Sequence, residues 1–254
     1  MITYAQVRGL AAQFRIHETV IFREYLQLVF LQKLYQKTPA QHIYFKGGTA
    51  IHLLYGAPRF SEDLDFSVAL APETFTAYIF TVLKRMENED GVTWEEKDSL
   101  AGKQFLLTDP PGVLPHPTYI TLDFSFREPV YSPEHSIIQT PYPVIFTSFV
   151  YHLSAEEILA EKIRAVMTRR KGRDLYDLWY LLSKGVSARS DLIRRKLDYC
   201  QLSGISAEDI LARVASFPQK EFLLDLRPFV PQNERERLPE FFEYMHSYLK
   251  QALS

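Results

Sequence analysis

The chain has 254 residues, 46% of them hydrophobic and 24% charged, enough to bury a substantial core in one large domain or two smaller ones. A net charge of −2 excludes a global basic field, so any surface for nucleic acid must be local. Cys200 is the only cysteine, which excludes an internal disulfide and a cysteine-rich metal cage and sets the expectation of a reducing, cytoplasmic setting. Residues 4–36 read as one helical stretch: Ile21, Tyr25, Leu28, Val29 and Leu34 fall near helical spacing and no proline intervenes before Pro39. "HIYF", residues 42–45, is a short strand candidate ended by Gly47 and Gly48, and "TAIHLLYG", 49–56, a helix closed by Gly56 and Pro58. "DLDFSV" alternates as a strand, residues 72–88 as a helix, and "VTWEE", "KQFLLTD" and "TYITLDFSF" as three further strands. Residues 127–143 are proline-dotted and irregular, and from Ser154 onward the pattern is helical. The domain boundary is therefore placed near residue 150, giving a mixed α/β part, 1–150, and a helical part, 151–254. The opening "MITYAQVRGLAAQFRIHE" has charges throughout, so no signal peptide is expected. "VIFTSFVYHL" is too short to span a bilayer, and no membrane partner is expected.

The chemistry concentrates in "FKGGTAIHLLYGAPRFSEDLDFS", residues 45–67. In a strand, side chains i and i+2 share a face, so Asp63 and Asp65 project together while Leu64 and Phe66 pack inward. Two carboxylates on one face repel unless a divalent cation sits between them. Magnesium suits the pair because it takes hard oxygen ligands and keeps positions for phosphate and water. The Gly47-Gly48 turn before a helix lets backbone N–H groups approach a phosphate at the positive end of the helix dipole. Arg59 and Ser61, between the two elements, are candidate donors to the same triphosphate. Alone, an Asp-x-Asp pair reads equally as a solvated strand edge or turn.

The ordered block of strand, Gly-Gly, helix, turn and Asp-apolar-Asp-apolar strand resembles the nucleotidyltransferase superfamily typified by DNA polymerase β. Here 14 residues, 49–62, separate Gly48 from Asp63, a slightly long insert, and the position often held by Ser after the first glycine is Gly48, with Thr49 following. The resemblance implies a third carboxylate on a later strand. Asp123 in "TYITLDFSF" meets that need as metal ligand or general base. By pattern alone it belongs equally to the polar face of a half-exposed strand.

In the helical part, "SAEEILAEKIRAVMTRRKGRDLYDLWYLL", residues 154–182, begins with a capping box, Ser154 and Glu157. On a wheel of about 100° per residue with Ile158 at zero, Lys162 lies at about 40°, inside the apolar arc of Leu159, Ile163 and Val166. Such a lysine snorkels to water or meets an anion. After a break at Lys171-Gly172, "RDLYDLW" opens a helix in which Asp174 and Asp177 are neighbours three residues apart. Acids in a first turn are also what the helix dipole favours.

Taken in order, "KGGTA…RFSEDLDF", "ILAEKIRAV…R" and "GRDLYDLWYLL" closely resemble the AbiEii/AbiGii toxin family of nucleotidyltransferases, over about residues 15–185. The resemblance implies an α/β (α+β) protein with a polymerase β-like nucleotidyltransferase core on a mixed sheet, followed by a C-terminal helical domain. It implies a toxin of a toxin–antitoxin or phage-defence system that uses an NTP and Mg2+ to modify RNA, notably tRNA 3′ ends, with a cognate antitoxin as a further partner. Carried over, it makes Asp63 and Asp65 metal ligands, Lys162 a phosphate contact, and Asp174 and Asp177 the acid motif of the helical domain. Gly47, Gly48, Thr49, Arg59 and Ser61 then form the nucleotide pocket. Arg169, Arg170, Lys171 and Arg173, with a second cluster Arg194-Arg195-Lys196, are candidates for steering an RNA backbone, although charge runs commonly face water. The histidines show no metal-ligand spacing, and His52 is left structural or solvent-facing. Two other readings stay open: nucleotidyl transfer to a small molecule such as an aminoglycoside, and a non-catalytic binding protein on the same fold.

Overall fold

A computed structural model describes residues 1–99 and 102–253. The polypeptide forms two compact units, Met1–Gly56 with Phe60–Leu153, and Ser154–Ser254 with the short segment Ala57–Arg59.

The first unit is built on a seven-stranded mixed sheet. Its strands are β1 (Ile43–Lys46), β2 (Leu64–Val68), β3 (Thr93–Lys97), β4 (Gly102–Thr108), β5 (Tyr119–Ser125), β6 (Pro133–Ser136) and β7 (Val150–Leu153), in spatial order β3-β4-β5-β2-β1-β7-β6. β2 runs parallel to β5 and β1 parallel to β7; the other pairs are antiparallel. Four helices belong to this unit: α1 (Tyr4–Phe14), α2 (Glu18–Leu34), α3 (Gly47–Tyr55) and α4 (Pro72–Asp90).

Alternation divides the central strands into two faces. Phe45, Leu64, Phe66, Phe105, Leu122 and Phe124 are fully buried on one of them. Phe66 stacks on Phe124 at 4.7 Å between ring centroids, Phe30 of α2 meets Phe66 edge-on at 6.1 Å, and Phe75 of α4 lies 4.8 Å from Phe124. Each such side chain removed from water contributes about 1.5–3 kcal/mol, so this aromatic layer is the main reason the sheet and its helices stay together. The other face carries Lys46, Asp65, Ser67, Gln104, Asp123 and Ser125, all set by the same register.

Three expectations need correction here. The stretch 4–36 is two helices, because Arg15 adopts a left-handed conformation (φ 53°) and His17 restarts the chain as the N-cap of α2. The Gly47-Gly48 pair does not precede α3 but forms its first turn, and Asp63 stands one residue before β2 instead of inside it. The irregular segment 127–143 holds a strand, β6, whose partner β7 lies in the apolar run at 144–153.

The second unit is helical: α5 (Ala155–Thr168), α6 (Gly172–Ser183), α7 (Ser190–Tyr199), α8 (Ala207–Ala215), α9 (Gln219–Leu226) and α10 (Leu238–Ala252). Ser154 caps α5 by accepting from the Glu157 N–H at 3.2 Å. Ile158, Leu159, Ile163 and Val166 form the buried stripe of α5, and Gly172 allows α6 to approach α9, since a Cβ there would lie 2.7 Å from Phe222 Cα.

Candidate active site

In the first unit, the register of β2 against β5 makes Asp65 and Asp123 direct neighbours on the polar face of the sheet. Lys46, at the end of β1, is the antiparallel partner of Asp65 and is buried; Gln104 of β4 partners Asp123 and donates from Nε2 to its Oδ2 at 3.3 Å. Strand spacing brings such paired side chains to about 5 Å between Cβ atoms.

Gly47 explains the diglycine. It opens α3 at φ +77°, and a Cβ built on it would fall 2.2 Å from Asp65 Oδ2. The absence of a side chain is therefore what lets the Asp65 carboxylate lie against the first turn of α3, where the dipole favours negative charge. The space over Gly47 that the sequence suggested for phosphate holds a carboxylate of the protein itself. Thr49, expected at the nucleotide, is fully buried and its hydroxyl donates to the backbone carbonyl of Asp63. The carbonyls of Ser61 and Glu62 accept from Gln27 Nε2 of α2 at 3.2 and 2.9 Å. His52 on α3 is held by Glu24 of α2, Nε2 to Oε1 3.3 Å.

Among the described residues, no group of three or more His, Cys, Asp or Glu side chains is arranged to hold a metal ion. Asp63, Asp65 and Asp123 thus do not converge as a closed three-carboxylate cage. What the register supplies is a pair of neighbouring carboxylates made only of hard oxygen donors. This fits magnesium, which is commonly held by one or two carboxylates together with substrate phosphates.

In the second unit, the remaining predicted residues meet in a buried ionic cluster. Arg59 donates from Nε to Asp177 Oδ1 at 2.6 Å and from Nη2 to Oδ2, with Arg59 and Asp177 almost wholly shielded. Lys162 Nζ lies 2.7 Å from Asp177 Oδ2 and 3.0 Å from Asp174 Oδ1, and Arg169 closes the group with 2.7 and 3.0 Å bonds to Asp174. Burial opposes the Lys162 charge, but Asp177 and Asp174 hold the ammonium above its ordinary value. Burial likewise pushes the Asp174 carboxyl up, and Lys162 and Arg169 outweigh it to hold that group well below the usual carboxylate range.

The cluster corrects several assignments. Lys162 neither snorkels nor stands open for phosphate; its ammonium bridges the two aspartates. Arg59, expected beside Ser61 at the nucleotide, forms a two-point pair with Asp177. Of the basic run, Arg169 is tied to Asp174 while remaining 59% exposed, and Arg173 pairs with Asp225 at 3.3 Å and lies over the Phe229 ring. Arg170 and Lys171 are exposed. In the other cluster Arg194 and Arg195 are exposed, but Lys196 is buried between Glu157 and Glu161 at 2.8 and 2.9 Å.

Sequence reasoning missed Lys46, Gln104 and Gln27. For Gln27 a signal existed: it is a neutral polar residue inside the nearly all-apolar run "YLQLVFL", where burial demands a partner.

Comparison with known proteins places these features in a wider group. The model of the nucleotidyl transferase AbiEii toxin family, type IV toxin–antitoxin system, matches residues 29–250. MenT4, a nucleotidyltransferase toxin from Mycobacterium tuberculosis, shares the fold at TM-score 0.67 and 20% identity, covering 98% of this chain and 90% of its own. JHP933 from Helicobacter pylori aligns at TM-score 0.56 and 21% identity over 94% of both chains. A structure described as a nucleotidyltransferase from H. pylori aligns at TM-score 0.58 and 21% identity, over 94% of this chain and 97% of that one. No curated protein sequence matches. Among the described residues no helix is long and apolar enough to cross a membrane.

Proposed function

This chain belongs to the AbiEii nucleotidyl transferase toxin family of type IV toxin–antitoxin systems, and from that premise we propose that it transfers a nucleotide from an NTP to an RNA acceptor, the 3′ end of tRNA, in the cytoplasm. A terminal hydroxyl oxygen of the acceptor attacks the α-phosphorus, the bond to the bridging oxygen of the β-phosphate breaks, and pyrophosphate leaves with that electron pair. The observation that carries the reading is the in-register pair Asp65 and Asp123 on the polar face of the sheet, with Asp65 set against Gly47 at the start of α3.

Asp123, oriented by Gln104, takes the hydroxyl proton. Asp65, with Asp63 beside it, lines the triphosphate end of the site, where a bound cation would be needed between the carboxylates and the phosphates. Magnesium held by Asp65 and Asp123 would supply charge neutralisation for the phosphates. The rest of catalysis is positioning on a rigid sheet. The exposed Arg170, Lys171, Arg194 and Arg195 are the residues we assign to the RNA backbone; each phosphate contact among them steepens the salt dependence of binding. The second partner is a cognate antitoxin that relieves growth arrest.

The test is incubation of the full chain with total tRNA, each labelled NTP in turn and magnesium, with products resolved by size. Label in tRNA, lost by about 10²-fold or more in Asp65→Asn and Asp123→Asn and absent with chelator, supports the reading. Unchanged transfer in either variant overturns the site. Label only on an added aminoglycoside moves the acceptor to a small molecule, and no label with any NTP leaves a binding protein.

A further inference from the structure

The approach to β2 is held in an unusual way. Three consecutive backbone carbonyls, those of Ser61, Glu62 and Asp63, all accept from buried side chains of two different helices: Gln27 of α2 takes the first two, and Thr49 of α3 takes the third. Gln27 is 1% exposed and Thr49 fully buried. One turn earlier on α2, Arg23 pairs with the Glu62 carboxylate at 3.1 Å and donates from Nε to the carbonyl of Tyr119, the first residue of β5. The same helix therefore ties both the segment that delivers Asp63 and Asp65 and the strand that delivers Asp123.

The carbonyls are half-buried but the donors are buried, and a buried donor left without an acceptor costs more than the bond returns, so these contacts are strongly specified. Their geometric effect is larger than their count. Holding three successive peptide planes leaves little rotation at residues 61–63, which sets the direction of the Asp63 side chain and the entry of β2 into its register. A displacement of about 1 Å at a reacting group can cost two orders of magnitude in rate.

We infer that Gln27 and Thr49 are positioning residues of the transfer reaction, a side-chain clamp on the 61–63 backbone that aims Asp63 and Asp65. The inference rests on the nucleotidyl-transfer reading above. It touches no substrate atom and acts only through the aspartates.

Full-length Gln27→Met and Thr49→Val keep volume and burial while removing the donors. Each should lower kcat by about 10–100-fold with KM for the NTP changed by less than about twofold. Thr49→Ser, which retains the hydroxyl, should lose less than Thr49→Val. Gln27→Glu places an acceptor-only carboxylate against two carbonyl oxygens when ionised, so its kcat relative to the parent should fall as pH rises. In hydrogen–deuterium exchange, the peptide covering residues 60–66 should exchange faster in Gln27→Met while α4 stays protected. A lowered Tm with kcat at the parent value, or unchanged exchange in 60–66, overturns the clamp and leaves Gln27 as packing. If the parent chain transfers no nucleotide at all, the functional reading fails by itself, and the exchange experiment still decides whether the clamp exists.

Discussion

Replacing Gly47 by alanine tests the link between the diglycine and Asp65 most directly. Two costs arise. The φ of +77° belongs to the left-handed region, where a Cβ costs about 1–2 kcal/mol. The new methyl would also stand 2.2 Å from Asp65 Oδ2 and 3.0 Å from its Cβ and Cγ, so the carboxylate must move by about 1 Å to restore ordinary contact. Overpacking of this kind costs about 1–3 kcal/mol, and the stiffer unfolded chain returns about 0.4–1 kcal/mol. The net loss is about 1–4.6 kcal/mol, less than the stability of a typical domain, so Gly47→Ala should fold. Its turnover should fall further than its stability suggests, by about 10²-fold, because the displaced group is the one the site depends on. Gly112→Ala is the control: Gly112 has φ +96° but nothing within 4 Å of its added Cβ, so it carries the backbone cost alone. Urea unfolding followed by fluorescence, and labelled-NTP transfer on the folded fraction, separate the two effects. Parent-level transfer in Gly47→Ala, or a loss of turnover equal to that in Gly112→Ala, refutes the argument.

Three further outcomes follow from the second unit. Asp177→Asn removes the buried carboxylate that pairs with both Arg59 and Lys162, and should cost about 3–5 kcal/mol in urea unfolding, whereas a surface pair is worth under about 1 kcal/mol. Asp174 is held below its unfolded value, so its contribution is complete above the unfolded pKa and is lost as pH falls towards the folded one; stability should decline below about pH 4, and Asp174→Asn should flatten that decline. Lys196→Met removes the buried cation that bridges the Glu157 and Glu161 carboxylates and should lower Tm by several degrees without changing the salt slope of RNA binding, while Arg194→Ala should reduce that slope and leave Tm in place.

The first unit was legible because its signals are local. Alternation in "DLDFSV" and "TYITLDFSF" assigned Asp65 and Asp123 to polar faces without knowledge of pairing, and the strands pair so that those faces coincide. What could not be read is which strand lies beside which. Lys46 and Gln104 become neighbours of the aspartates only through the order β4-β5-β2-β1, a long-range property that no window of sequence contains. The break at Arg15 escaped for the opposite reason: a single left-handed residue leaves helical periodicity intact on both sides. β6 is four residues long, starts with Pro133 and has three exposed positions, so it carries no alternation to detect.

The charges of the helical unit show a sharper limit. A lysine inside an apolar arc predicts an anion nearby but not its identity. For Lys162 the answer lies 12 and 15 residues ahead, across the turn at Lys171, with Asp174 on the first turn of α6 and Asp177 on the next. The dipole argument for an acid in the first turn and the pairing argument are both satisfied by Asp174, while Asp177 answers to the pairing alone. Lys196 shows the same ambiguity in reverse: within Arg194-Arg195-Lys196 the three cations look alike, yet helical spacing turns only Lys196 inward, onto Glu157 and Glu161 of α5. A buried cation needs a carboxylate and an exposed one needs none, so a charge run divides by facing before it divides by function. For this chain that leaves Arg170, Lys171, Arg194 and Arg195 as the cations through which an RNA contact can be tested without first dismantling the fold.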